Sequence, residues 1–406
     1  MTKKHPKLSK TAKLFWFSVG SIIYTYLGYP LLITLLARFK TKNNDYPDTI
    51  PIVTLLIAAY NEEDVIEEKI LNSLSLDYPK EFLQIMIVAD GSYDSTPEIV
   101  EKYSQSRVEL LFEPERRGKM AAINRAIPYV RGDIIIFSDA NNLYQPQTIR
   151  ELVTPFSDPE IGAVSGAKTV VEGDSNVGAS EGLYWKYEAF IKEQESRLSS
   201  CTSVAGEIWA VRRGIYQPPP DDIINDDLYM AMQVLKQGYR ITYVPTARSI
   251  ERASSSAKGE MTRRKRIIAG RYQAIFKASE ILPVNQPILV WQIISHKFLR
   301  PMVPFFMLGV FFTNLKAFFK SGSNNVKNGF WNLSQPFNYI FLALQVIFYG
   351  LAWIGRYQET TENGGKLERL LYLPTFLFNS NLAAFQGFLQ YIKGEQSHIW
   401  ERVSRN

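Results

Sequence analysis

Apolar and polar positions follow two distinct regimes along this chain. Between residues 50 and 145, short apolar blocks alternate with longer stretches whose apolar residues recur every three or four positions. The blocks are Ile52–Ala58, Phe82–Ala89, Val108–Phe112 and the Ile134 strand, Ile134–Phe137. Short, predominantly apolar runs, unbroken in the Ile134 block, suit strands buried on both faces of a parallel sheet. The intervening stretches predict helices. Asn61 suits an N-cap, with Glu62, Glu63 and Asp64 at the positive end of the helix dipole and Ile66, Ile70 and Leu74 forming one buried stripe. Thr96-Pro97-Glu98 reads as a cap followed by proline at the first helical position, and Lys119–Ile127 as a third helix. Strands separated by helices of this length predict an α/β fold, a parallel sheet with helices on both faces.

Beyond Pro146 the alternation loosens. The pattern predicts strands over Ile161–Ala167, Lys168–Val171 and Gly206–Val211, and helices over Glu181–Ser199, from Asp226 to Gly238, and over Glu260–Ile281. The second regime is continuous apolarity. Leu14–Phe39 holds one charge, Arg38, and exceeds the roughly 20 residues that cross a bilayer, with Pro30 a kink point. Pro287–Leu299 mixes Trp291, His296 and Lys297 with aliphatic residues, as a helix lying on a membrane surface does. Pro301–Phe319, Phe337–Ile354 and Leu371–Ile392 are further candidate spans, the last containing Asn379, Asn381 and Gln386. The expected layout is a tail and membrane helix over 1–45, a soluble domain over 46–282, and an interfacial helix with about three spans over 283–406.

Composition narrows the chemistry. A net charge of +6 over 406 residues does not point to nucleic acid, which is not an expected partner. The single cysteine, Cys201, excludes an intrachain disulfide and a thiolate zinc cluster. His5, His296 and His398 all fall outside 46–282, so proton transfer in that domain is expected to use carboxylates. That also disposes of Gly178-Ala179-Ser180-Glu181-Gly182, a G-x-S-x-G pattern lacking the histidine a serine nucleophile needs.

Polar groups appear just past each apolar block. Asn61 and Glu62 follow the first, Asp90 ends the second, Gly118-Lys119 follows the third and Asp139 the fourth. Open α/β sheets bind ligands beyond the carboxyl ends of their strands. Acids at successive strand ends beside a lysine suit a nucleoside diphosphate held through a divalent cation. Neither a dinucleotide-binding glycine motif nor a P-loop is present.

Taken in order, Ala58-Ala59-Tyr60-Asn61-Glu62-Glu63, Asp90-Gly91-Ser92, Gly118-Lys119 with Asn124, Ser138-Asp139-Ala140-Asn141, Asn225-Asp226-Asp227 and Arg263-Arg264-Lys265-Arg266 resemble glycosyltransferase family 2. Within it the chain resembles the membrane-embedded processive type that includes cellulose, hyaluronan, chitin and poly-N-acetylglucosamine synthases. The resemblance covers about residues 50–280. It implies a GT-A type nucleotide-sugar-binding domain flanked by transmembrane helices, in a multi-pass protein of the cell membrane with its catalytic domain cytosolic. It also implies a nucleotide-sugar donor, UDP-linked, and a polysaccharide or glycolipid acceptor. Donor-binding residues would be Ala58, Asn61, Glu62, Asp90, Lys119, Asp139, Arg263 and Arg266. Asp139 and Asn141 would hold Mg2+ or Mn2+. Asp227 would be the general base, with Gly206, Glu207 and Asp226 on the acceptor side.

Two departures qualify the resemblance. The family's D-x-D is Asp139-Ala140-Asn141 here, an amide replacing the second carboxylate, and its Q-x-x-R-W is Arg263-Arg264-Lys265-Arg266-Ile267. Three other readings stay open. Asp226 and Asp227 also suit a plain helix start, the basic run also suits anionic lipid headgroups, and a catalytically inactive nucleotide-sugar-binding protein would retain most of the motifs. The five lysines of residues 1–13 outnumber Arg38, Lys40 and Lys42, which opposes a cytosolic domain by the positive-inside rule.

Overall fold

The four apolar blocks become four adjacent parallel strands. In the computed structural model, which describes residues 8–40, 46–171, 176–220, 222–252, 257–320, 329–356 and 366–395, these are β1 (Val53–Ala59), β2 (Leu83–Asp90), β3 (Val108–Glu113) and β4 (Ile134–Asp139). The remaining strands are β5 (Asn142–Tyr144), β6 (Ile161–Val171), β7 (Trp209–Arg212) and β8 (Arg240–Arg252). The eight form one sheet in the order β3-β2-β1-β4-β7-β6-β8-β5. Strands β1 to β4 run parallel, but β7 is antiparallel to both β4 and β6, and β5 is antiparallel to β8. The sheet is therefore mixed but mostly parallel, as expected, since β6 and β8 also pair parallel.

Strand pleating sends alternate residues to opposite faces. Leu55, Ile57, Ile134 and Ile136 pack with Ile66, Ile70, Ile149 and Leu152 on one side. Leu56, Ile135 and Phe137 pack with Ala122, Ile123, Leu228 and Leu235 on the other. Both faces are thus covered, and the ligand-accessible edge is left at the carboxyl ends of β1, β2 and β4.

Several local expectations are corrected. Asn61 caps no helix: it has φ +52°, and the helix begins at Ile66. Ser95, not Thr96, precedes the helix Thr96–Glu101. Ile161–Val171 is one strand with register shifts, not two strands, because the bulges are absorbed against β8. The strand expected from Gly206 starts at Trp209.

Three helical runs among the described residues are long and apolar enough to cross a membrane: Lys10–Phe39, Pro287–Phe319 and Phe337–Gly355. Their outer faces stay apolar and bare, as with Leu31, Phe39 and Phe319, which are 70, 82 and 78 % exposed. The fourth candidate lies in the helix Lys366–Lys393, which is not among these three. The first run is interrupted by a π-turn at Tyr24–Gly28, just ahead of Pro30. Proline has no N–H to offer the carbonyl four residues back, and that carbonyl, on Tyr26, accepts the Tyr187 hydroxyl at 2.9 Å.

The surface helix expected at Pro287–Leu299 is instead continuous, through a π-turn at Ile294–Phe298, with Leu299–Phe319. His296 and Lys297 are buried, not at a headgroup level. The helix Asn176–Leu198 presents Glu188, which meets Lys297 Nζ at 2.5 Å, Arg300 Nη1 at 2.6 Å and His296 Nε2 at 3.1 Å, while His296 Nδ1 lies 2.8 Å from Glu195 Oε1. This network ties the α/β domain to the apolar helices. The G-x-S-x-G pattern falls inside the same helix, not on the strand-to-helix turn that a nucleophile elbow requires.

Candidate active site

At the ends of β1 and β2 the chain must turn sharply, and the residues permit it. Asn61 accepts the left-handed backbone that Asn tolerates better than most residues; its Oδ1 accepts from Tyr93 N at 3.0 Å and its N–H donates to Ser92 Oγ at 3.1 Å. Glu62 N–H donates to Thr96 Oγ1 at 2.8 Å. Gly91 has φ +70°, and a Cβ there would come within 2.5 Å of Arg116 Cβ. The two turns are thereby tied to each other and to the loop after β3.

Asp90 acts on that same loop. Its Oδ2 accepts from Gly118 N at 2.6 Å and Arg117 N at 3.0 Å, and the carboxylate is 4 % exposed. Arg116 is thereby held over the Tyr60 ring, 3.7 Å from its centroid. Gly118, at φ +97°, then opens the helix Lys119–Ala126, and Asn124 on that helix accepts the Tyr216 hydroxyl at 3.0 Å.

Lys119 Nζ reaches Asp139 Oδ1 at 2.5 Å. Ala58 pairs with Asp139 across β1 and β4, which sets that carboxylate at the sheet's carboxyl edge. Two residues on, Asn141 Oδ1 is buried and accepts no hydrogen bond from the described residues. A buried amide oxygen without a partner costs about 1–3 kcal/mol, and a divalent cation shared with Asp139 would satisfy it.

The second half of the site comes from after residue 200. Asn225 caps the helix Asp226–Lys236, its Oδ1 accepting from Leu228 N at 3.3 Å, and Asp227 Oδ1 accepts from the same N–H at 2.7 Å. A Cβ on Gly206 would stand 3.4 Å from Asp227 Oδ2, so the glycine leaves that oxygen open. Burial first, then the adjacent Asp226, push the Asp227 carboxyl up to about 6. Glu207 is raised by burial and by Asp139, against the pull of Arg263. Its Oε1 lies 3.2 Å from Lys168 Nζ, which also meets Glu251.

Arg266 arrives on the helix Ala257–Phe276. One turn beyond it, Gly270 packs so closely on Asn225 that a Cβ would sit 2.4 Å from Asn225 Cβ. Burial lowers the Arg266 guanidinium, opposed by Asp226, Asp227 and Asp139. Burial likewise lowers Lys119, but Asp139, Asp226 and Asp227 together outweigh it and hold the ammonium above its ordinary value. The acids at 139 and 227, far apart in sequence, therefore act on one lysine and one arginine.

The structure thus gathers Lys119, Asp139, Asn141, Gly206, Glu207, Asp226, Asp227, Arg263 and Arg266 around one region. Ala58, Asn61, Glu62 and Asp90 lie along the neighbouring strand ends. Asp90 Oδ2 holds the 117–118 backbone, while its Oδ1 lies 3.5 Å from the Arg125 guanidinium. The reading of the sequence missed Lys69, Arg116 and Lys168. Lys69 had a signal: it shares a face with Ile66, Ile70 and Ser73 at the three-and-four spacing of a buried helix stripe.

Residues 54–217 match the family model described as glycosyl transferase family 2. A poly-beta-1,6-N-acetyl-D-glucosamine synthase of Staphylococcus aureus (strain MSSA476) is 28% identical over 240 residues, 58% of this chain and 56% of the relative. The match thus spans little more than half of that relative's length. A probable glycosyltransferase, YdaM, of Bacillus subtilis (strain 168) is 26% identical over 371 residues, 83% of this chain and 82% of the relative. Among solved structures, the mannosyltransferase PcManGT from Pyrobaculum calidifontis, in complex with GDP-Man and Mn2+, superposes with a TM-score of 0.67 at 23% identity. It covers 94% of this chain and 100% of its own, a likeness of fold.

Proposed function

We propose that this glycosyltransferase, whose residues 54–217 match the family 2 model, extends a polysaccharide at a membrane, taking each sugar from a nucleoside diphosphate donor, UDP-linked. The observation that carries the reading is the meeting of the loop after β4 with the Asp227 helix start: Asn142 Nδ2 donates to the Glu207 carbonyl at 2.9 Å, and a Cβ on the adjoining Gly206 would stand 3.4 Å from Asp227 Oδ2. One carboxylate at the sheet edge, paired with Lys119, and another at a helix start nearby suit a donor held at one and an acceptor activated at the other.

In this reading Asp227 takes the proton of the acceptor hydroxyl. The freed oxygen bonds to the anomeric carbon as the carbon–oxygen bond to the diphosphate breaks, so the centre inverts and the diphosphate leaves with the electron pair. A hydroxyl is a poor nucleophile until its proton is being removed, which is why the base is needed. Arg266 and Lys119 stabilise the charge gathering on the leaving group. Asp139 and Asn141 would hold the divalent cation, Mg2+ or Mn2+, that supplies further charge neutralisation at the diphosphate when bound. The orphaned Asn141 oxygen fits that ligand set, and the Mn2+ and GDP-Man in the mannosyltransferase of the same fold support it. Asp90 and Arg116 shape the nucleotide end, with the Tyr60 ring beneath Arg116.

The three long apolar helices would span the bilayer and place the domain in the cytosol, where nucleotide sugars are made. A second reading, transfer of one sugar to a lipid-linked acceptor, draws on Arg263–Ile267 standing where processive members carry Q-x-x-R-W. Membrane vesicles offered a panel of labelled nucleotide sugars with Mg2+ or Mn2+ separate the two. A ladder of polymer supports extension, a single lipid-soluble product supports the second reading, and no diphosphate release with any donor refutes both.

A further inference from the structure

Lys69 is 0 % exposed. It lies on the helix Ile66–Leu74 between Ile66 and Ile70, on the face turned into the core. Its Nζ donates to Ser138 Oγ at 2.7 Å, to the Asn142 carbonyl at 2.7 Å and to Asn142 Oδ1 at 3.1 Å. Each of the three ammonium protons therefore has an acceptor, and the Tyr144 ring lies 4.3 Å from the nitrogen. Ser138 and Asn142 bracket Asp139, Ala140 and Asn141, so a single side chain grips both ends of that loop. Asn142 Nδ2 passes the restraint on, donating to the Glu207 carbonyl at 2.9 Å and to Ser249 Oγ at 2.7 Å.

A buried ammonium costs several kcal/mol unless its charge and donors are met, and an aliphatic residue would fill this helix position without that cost. What the lysine adds is three directed bonds to the backbone and side chains flanking two candidate metal ligands. From this arrangement we propose that Lys69 is a positioning residue for the cation site, fixing Asp139 and Asn141 from behind while touching neither substrate nor metal. The inference rests on the assignment of Asp139 and Asn141 to a divalent cation. Ligands of a metal must be held within about 0.5 Å of their productive geometry, and groups that orient ligands from behind typically contribute 10–100-fold in affinity.

The test uses the full chain in detergent, titrated with Mn2+ in the presence of UDP, free Mn2+ being read by electron paramagnetic resonance. Lys69→Met is expected to weaken apparent Mn2+ affinity by about tenfold or more, while turnover recovers substantially at excess Mn2+. Ser138→Ala removes one acceptor of the three, disturbs packing far less, and is expected to shift the affinity in the same direction by a smaller factor. It decides the question if Lys69→Met does not fold. Wild-type Mn2+ affinity in the folded variants, or an activity loss in Lys69→Met that excess Mn2+ does not relieve, overturns the proposal. Asp139→Ala separates the two layers of the argument. If it binds Mn2+ like the wild type, the cation lies elsewhere and the premise falls. If it loses Mn2+ while Lys69→Met keeps it, only the role of Lys69 falls.

Discussion

Replacing Asp227 by Asn should produce a protein that is inactive and yet more stable at neutral pH. The carboxyl sits between helix start and core, raised from 3.8 to about 6, chiefly by burial and then by Asp226. Such a rise corresponds to roughly 3 kcal/mol of preference for the protonated form. The folded chain therefore binds this proton more tightly than the unfolded chain does. Folding stability falls as pH climbs from about 4 to about 6, and the penalty persists above that. An Asn side chain keeps the acceptor for Leu228 N–H and carries no charge to desolvate. Asp227→Asn should thus gain up to about 3 kcal/mol at pH 7 and little at pH 4. Catalysis has the opposite dependence, since only the ionised form accepts a proton. The value of kcat/KM for the wild type should rise with pH to a plateau, half-maximal near 6. Asp226→Asn removes one of the two main causes of the rise, so its midpoint should move to lower pH. Thermal unfolding in detergent at both pH values, and diphosphate release across pH 4.5 to 8, read these outcomes. An Asp227→Asn protein that turns over like the wild type, or is less stable at pH 7 than at pH 4 relative to it, refutes the reasoning.

Three further outcomes follow from other residues. Asn141→Asp restores a second carboxylate beside Asp139 and should tighten Mn2+ binding, whereas Asn141→Ala should weaken it; equal affinity in all three proteins would remove residue 141 from the ligand set. Gly91→Ala forces a left-handed backbone costing about 1–2 kcal/mol and drives a Cβ toward Arg116; nucleotide binding should weaken, and unchanged binding by calorimetry counts against the loop's role. Glu188→Gln leaves Lys297, Arg300 and His296 without their shared carboxylate, a loss of about 3–5 kcal/mol for a broken buried pair, read as a lowered unfolding midpoint. Burial raises the Glu188 carboxyl, but the basic groups facing it, His296, Lys297 and Arg300, outweigh it and hold it well below its usual range. Its stabilisation is therefore complete above the ordinary carboxylate range and lost progressively as the pH falls from that range toward the depressed folded value, and a midpoint that stays flat from about pH 5 down to about pH 2 would contradict this.

How far the sequence foretold this structure depends on what each strand buries. Strands β1, β2 and β4 are mostly apolar on both faces, interrupted only near their starts by Thr54 and Gln84 in β1 and β2, so a short apolar run betrays them. Strand β8 does not read that way, because Thr242, Ser249 and Glu251 are buried along it among Ile241 and Tyr243. Ser249 is satisfied by Asn142 and Glu251 by Lys168, partners roughly a hundred residues away that no local pattern announces. Strand direction was equally hidden, since β7 pairs antiparallel to β4 through an apolar block like any other. Of the site, the acids at strand ends were legible because polar groups interrupt apolar runs there. Asp90 was legible as a strand-end acid, but the two backbone N–H groups that its Oδ2 accepts from the loop after β3 were not. Pro287–Leu299 misled. Its His296 and Lys297 looked like groups seeking water, and they seek Glu188 and Glu195.

The matched family domain ends at residue 217, yet Asp227, Arg263 and Arg266 all follow it, so something must bring the later segment onto the sheet edge. Close approach at glycines does this in sequence. Gly206 leaves room for Asp227 Oδ2, Gly270 admits Asn225 against the helix Ala257–Phe276, and Gly387 on the helix Lys366–Lys393 comes so near that its Cβ would stand 2.9 Å from the Lys265 carbonyl. The basic helix is therefore sandwiched between the helix that bears the proposed base and the last helix of the described chain. Gln273 fastens the inner contact, accepting from Ile224 N at 3.0 Å and donating to the Asp222 carbonyl at 2.7 Å. The helix Lys366–Lys393 therefore backs the helix that carries Arg263 and Arg266 into the candidate site.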